Sequence, residues 1–127
     1  NGCIRLLDDK DTIIRKFKRA VTDSGSEIKS AADKPGVTNL LSIYSAVTNK
    51  TVEEAEKDFE GKGYGEFKLA VGEAVADTLA PVQAEFCRLQ GDKEYVESVY
   101  KKGAEAASYI ASKTLRKVYK KVGFIAK

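Results

Sequence analysis

The chain has 127 residues, of which 43% are hydrophobic and 32% charged, with a net charge of +3. That is the length of one domain and the balance of an ordinary folded soluble protein. Its two cysteines and complete lack of histidine exclude a tetrahedral zinc site and the Ser–His and Cys–His nucleophile pairs. No apolar run nears the roughly 20 residues of a membrane span. Neither a G-x-G-x-x-G nor a G-x-x-x-x-G-K-[ST] loop occurs, so catalysis would rest on carboxylates and lysines alone. Cys3 and Cys87, outside any C-x-x-C pair, read as free thiols of a reducing compartment. A start at Asn1-Gly2 and the lack of methionine read as part of something longer.

In chain order, residues 1–8 form a short lead-in whose apolar anchors are Ile4, Leu6 and Leu7. Asp8 and Asp9 offer N-caps for a helix over Lys10 to Ala20, with Ile13, Phe17, Ala20 and Val21 on one face. Thr22-Asp23-Ser24-Gly25-Ser26 is turn chemistry that continues as a polar loop to Lys34. Pro35-Gly36 opens a second helix to Val47, with Leu40, Leu41, Ile43, Tyr44 and Val47 apolar. Thr51-Val52-Glu53-Glu54 is a capping box that starts a short acidic helix to Glu60. Gly61 to Gly65 turns the chain into a long helix over Glu66 to Gln90, whose stripe is Phe67, Val71, Val75 or Ala74, Thr78, Val82 and Phe86. Pro81 is expected to kink that helix without ending it. Gly91-Asp92 caps a last helix from Lys93 to Val122, predicted to bury Val96, Tyr100, Gly103, Ala107, Ile110, Thr114 and Val118. Gly123 stops it. The expected fold is all-α, an antiparallel bundle of about five helices with a long kinked fourth helix and a long C-terminal helix.

Charge is unevenly placed along this pattern. Six basic residues and no acid lie between Lys113 and Lys127, among them Arg116, Lys117 and Lys120, and Arg15 to Arg19 holds four more. Glu53 to Glu60, by contrast, holds five acids and one lysine. Cations at a helix C-terminus are favoured by its dipole whatever their function. The same stripes also suit a phosphate backbone. Gly61 to Gly65 either binds phosphate through backbone N–H groups or simply turns the chain, and no strand precedes it. Tyr64 either stacks on an unpaired base or plugs the core. Thr22, Asp23 and Ser24 either end a helix or offer hydrogen bonds to base edges.

Taken together and in order, several segments resemble one family. They are Leu6-Leu7-Asp8-Asp9, Ala20-Val21-Thr22-Asp23-Ser24, Lys34-Pro35-Gly36, Asn39 to Ser45, Phe59 to Lys68, Pro81-Val82-Gln83, Gly103-Ala104-Glu105, Ala107 and Val122-Gly123. Their order and spacing closely resemble the C-terminal part of bacterial tryptophanyl-tRNA synthetases. The resemblance implies a class I enzyme that joins tryptophan to its tRNA with ATP and Mg, is cytoplasmic and homodimeric, and has no membrane association. It implies that residues 1–9 are an extended lead-in following a Lys-Met-Ser-Lys-Ser loop and that residues 10–127 are a helical anticodon-binding domain. Neither that loop nor the family's His-Ile-Gly-His-like motif is present in this sequence. The stretch is therefore expected to be non-catalytic by itself and to hold no cofactor. Its partners would be tRNA and the N-terminal catalytic domain of the same enzyme. Thr22, Asp23, Ser24, Lys62 and Lys68 occupy positions resembling the anticodon-facing end. Arg116, Lys117 and Lys120 are candidate phosphate contacts from charge alone. The competing expectation is a structural helical domain that braces the catalytic half without touching bases.

Overall fold

The structure, a computed structural model, describes residues 2–124. Five helices follow in order: α1 (Lys10–Lys18), α2 (Pro35–Thr48), α3 (Val52–Asp58), α4 (Tyr64–Gly91) and α5 (Lys93–Val122). No strand occurs among the described residues, so the fold is all-α as expected. The chain divides into two compact units, Asn1–Glu85 and Phe86–Lys127.

In the first unit each helix starts where local chemistry dictates. The Asp9 carboxylate accepts from the Thr12 N–H at 2.7 Å and caps α1. Pro35 stands in the first turn of α2, where a missing N–H costs nothing. At Thr51 both arms of the capping box are made: the Glu54 N–H donates to Thr51 Oγ1 at 3.2 Å and the Thr51 N–H to Glu54 Oε2 at 2.8 Å. Left-handed Asn49 ends α2, and left-handed Gly61 turns the chain after α3. The core gathers Ile13, Phe17, Val37, Leu40, Leu41, Ala55, Phe59, Phe67, Val71 and Val75. Phe59 packs edge-on against both Tyr44 and Phe67, with centroids 4.9 and 4.8 Å apart. Gly72 lets α4 approach α1 closely, since a Cβ there would lie 3.1 Å from the Ile14 Cα.

Several expected anchors do not hold. Leu6 and Leu7 form an exposed turn, closed by the Asp8 N–H donating to the Arg5 carbonyl, and only Ile4 of the lead-in packs on the core. Val21, assigned to the apolar face of α1, is 86% exposed because α1 ends at Lys18 and the chain leaves the helical path. In its place Ile28, inside the stretch read as a polar loop, is buried. The stripe of α4 is buried only through Val75 and Ala76; Thr78, Val82 and Phe86 face outward. Helix α4 passes through Pro81 without interruption.

The second unit holds the end of α4 and α5. Asp92 caps α5 through the Tyr95 N–H at 3.0 Å, and left-handed Gly123 closes it. Here the sequence expectation fails: α5 buries none of its residues, and Val96, Tyr100, Ile110 and Val118 are all exposed. Helical spacing identifies a face but not what covers it.

Candidate nucleic-acid interface

The turn after α1 is built around one carboxylate. Asp23 Oδ1 accepts the Gly25 N–H at 2.6 Å, an Asx-type turn, and both Asp23 oxygens face the Tyr64 hydroxyl at 2.8 and 2.9 Å. That hydroxyl also lies 3.2 Å from the Glu27 carbonyl, which in turn accepts from Lys34 Nζ at 3.1 Å. The first residue of α4 thus ties down a loop some forty positions upstream. Two glycines lie against this turn, and the one at Gly36 meets backbone. A Cβ on Gly25 would lie 2.7 Å from Asp23 Oδ1, and one on Gly36 would meet the Val21 carbonyl at 2.3 Å and the Thr22 Cα at 3.3 Å. The Tyr64 hydroxyl above all, with the Gly25 N–H and the Lys34 charge, holds the Asp23 carboxyl below the usual carboxylate range. Burial, helped by the bond to Asp23, pushes Tyr64 up to about 12.

Of the three turn residues expected to meet a base, Thr22 and Asp23 are half-buried and Ser24 is exposed. Asp23 is already engaged within the chain, so much of its hydrogen-bonding capacity goes to shaping the turn. Tyr64 neither plugs the core fully nor stands free to stack; it is the clasp on Asp23. Lys68, half-buried, follows Tyr64 by four positions and so lies one turn along the same face of α4. The structure therefore brings Asp23 and Tyr64 together, and Lys68 is placed only by its register on α4. Lys62 is exposed in the turn before α4, with its ammonium 5.2 Å from the centre of the Phe59 ring. It stands at an open cleft of about 660 Å³ that Glu27, Glu53, Glu56 and Glu60 line together with Lys29 and Lys57, a mixed-charge environment.

Arg116, Lys117 and Lys120 belong to the second unit and are exposed on α5. Arg116 and Lys120 share a face by their spacing of four. A shallow surface on this helix brings Arg116 beside Ser108, Ser112 and Lys113. Lys120 and Lys121 occupy the last turn, where the helix dipole alone favours them. Tyr64, Lys34 and Gly36 were missed as parts of the turn, because their partners are distant in sequence and no spacing rule links them. Cys3 and Cys87 are exposed free thiols. Among the described residues no group of three or more acids or cysteines is arranged to hold a metal ion. No helix among them is long and apolar enough to cross a membrane.

With this geometry in view, residues 1–80 match the family model for class I tRNA synthetases of the W and Y type. The chain belongs to that family. Over 125 residues it is 48% identical to the tryptophan–tRNA ligase of Clostridium perfringens, covering 98% of this chain and 38% of that protein. It is 45% identical to the corresponding ligase of Clostridium tetani, covering 37% of it. A crystal structure of tryptophanyl-tRNA synthetase from Mycoplasma pneumoniae superimposes with a TM-score of 0.71 at 31% identity, again over 98% of this chain and 38% of that one. This synthetase-family chain thus spans well under half the length of the relatives it matches.

Proposed function

We propose that this chain is the helical, tRNA-facing part of a tryptophan–tRNA ligase, and that its first unit meets the anticodon. The observation that carries the reading is its 48% identity, across 98% of its length, to a tryptophan–tRNA ligase. Activation of tryptophan with ATP and Mg belongs, on this reading, to the catalytic domain of the whole cytoplasmic enzyme. Residues 1–9 lead in from that domain and residues 10–127 form the RNA-handling part. Within it the Asp23–Tyr64 clasp fixes the turn, Thr22 and Ser24 offer hydroxyls to an unstacked base, and Lys62 and Lys68 supply positive charge beside them. Arg116, Lys117 and Lys120 act on phosphates, which carry no sequence information.

The exposed apolar stripe of α5 favours a bracing role for the second unit. So large a run of exposed aliphatic and aromatic side chains marks a surface meant to be covered, and we assign it to packing against the rest of the longer ligase.

Affinity of the chain for a tryptophan anticodon stem-loop separates these roles. Ser24→Ala and Lys68→Ala should weaken binding without lowering stability, since neither side chain holds the fold. Arg116→Ala should weaken binding uniformly across anticodons and reduce its salt dependence by about one ion. Unchanged affinity in both Ser24→Ala and Lys68→Ala would remove the anticodon assignment from this face.

A further inference from the structure

A second surface of the first unit is not accounted for by the turn. Between the lead-in, α1 and α2 runs an open groove of about 920 Å³, whose walls include Thr12, Arg15, Phe17, Arg19, Asn39 and Leu40. Among the described residues no carboxylate lines it. Phe17 and Leu40 are buried core residues that give it an apolar floor. Its cations are unevenly committed. Lys16 is bound to Asp8 and donates to the Cys3 carbonyl at 3.0 Å, so its charge is used internally. Arg15 and Arg19, four positions apart, are exposed on one side of the last turn of α1. Arg15 Nη2 donates to Thr12 Oγ1 at 3.0 Å, which steadies the guanidinium at the rim. At the far end the rim is Ala20 and Val21, directly continuous with the Thr22–Ser24 turn.

We infer that this groove is a docking track for the sugar–phosphate backbone of an RNA strand, with Arg15 and Arg19 each taking a phosphate and the apolar floor receiving a ribose or base. Guanidiniums bind phosphate and carboxylate bidentately alike, so two other features select RNA over an acidic peptide. The volume greatly exceeds one phosphate while the floor is apolar, which suits alternating charge and ring. The track also leads straight into the turn that faces the anticodon on the proposed reading, from which the inference takes the identity of its polyanion. Asn39 adds an amide that can donate to a phosphate or a ribose hydroxyl. The bland role of the same arginines is to complement the dipole at the C-terminus of α1.

Fluorescence anisotropy would follow wild-type chain, Arg15→Ala, Arg19→Ala, the double variant and a Lys57→Ala control. The probes are two full tRNAs, one with the tryptophan anticodon and one with a scrambled anticodon, an oligouridine of about a dozen nucleotides, and poly-glutamate as competitor. Salt would run between about 50 and 200 mM. Each arginine removed should weaken every RNA about fivefold at the low-salt end and lower the salt slope by about 0.7, whereas Lys57→Ala should do neither. Wild-type binding of tRNA with no change in affinity or slope in the double variant would overturn the inference and leave the tRNA reading intact. A fall in melting temperature with unchanged RNA affinity would overturn it equally, returning the arginines to helix capping. Arginine-dependent binding of oligouridine with no preference among tRNAs would uphold the track and defeat the tryptophan assignment instead. Displacement of the RNAs by poly-glutamate at equal charge concentration would overturn the choice of RNA, and absence of binding to any RNA would overturn both readings.

Discussion

Tyr64→Phe deletes a single oxygen and so isolates the clasp. Asp23 would lose its main partner while keeping the Gly25 N–H, and the Glu27 carbonyl would keep Lys34. Urea denaturation should show a lowered midpoint in this variant; an unchanged midpoint would mean that the clasp does not hold the loop. The pH dependence follows from named groups. Lys16 lowers Asp8, the Tyr64 hydroxyl lowers Asp23, and Lys50 lowers Asp58, all from the ordinary 3.8. A carboxylate lowered on folding contributes stability above its unfolded value and loses it as pH falls through the folded one, so stability should decline below pH 3.8. Tyr64, raised from 10.0 to about 12, does the reverse: its contribution is full below 10.0 and lost as pH rises toward 12. Denaturation midpoints across pH should fall at both ends, and the alkaline fall should be smaller in Tyr64→Phe. An identical alkaline limb in that variant would contradict the assignment.

At the scale of elements, what could be read from sequence was what local chemistry decides. The Thr51 capping box, the Asp92 cap, the Gly123 stop and the continuity of α4 through Pro81 need only neighbours within one turn, and all are present. Burial needs a partner, and there the reading divided. Ile13, Phe17, Leu40, Leu41, Phe67 and Val71 are core because several elements converge on them. Val96, Tyr100, Ile110 and Val118 have the same periodicity and are exposed. Most helical stability comes from packing rather than propensity, so α5 should open more readily than α4. Amide hydrogen exchange should be slower at residues 67–76 than at residues 96–118. Equal protection in the two stretches would show that α5 is covered, by another copy of the chain or by α4.

For the whole molecule, the family was legible from ordered motifs spread along the chain, and the family match over residues 1–80 agrees with it. The candidate site was legible only in outline. Thr22 to Ser24 and Lys68 lie on the same unit, but the clasp that shapes them depends on Tyr64, Lys34 and Gly36, which fold together from distant positions. The groove at Arg15 and Arg19 was visible in sequence only as a cluster of charge; its apolar floor joins Phe17 of α1 to Leu40 of α2. We propose that this chain recognises tRNA through its anticodon, and the dissociation constants of the wild-type chain for two full tRNAs, identical except that one carries the tryptophan anticodon and the other a scrambled one, decide it. The tryptophan anticodon should bind more tightly by roughly tenfold, about 1.4 kcal/mol. Equal affinity for the two tRNAs would contradict it.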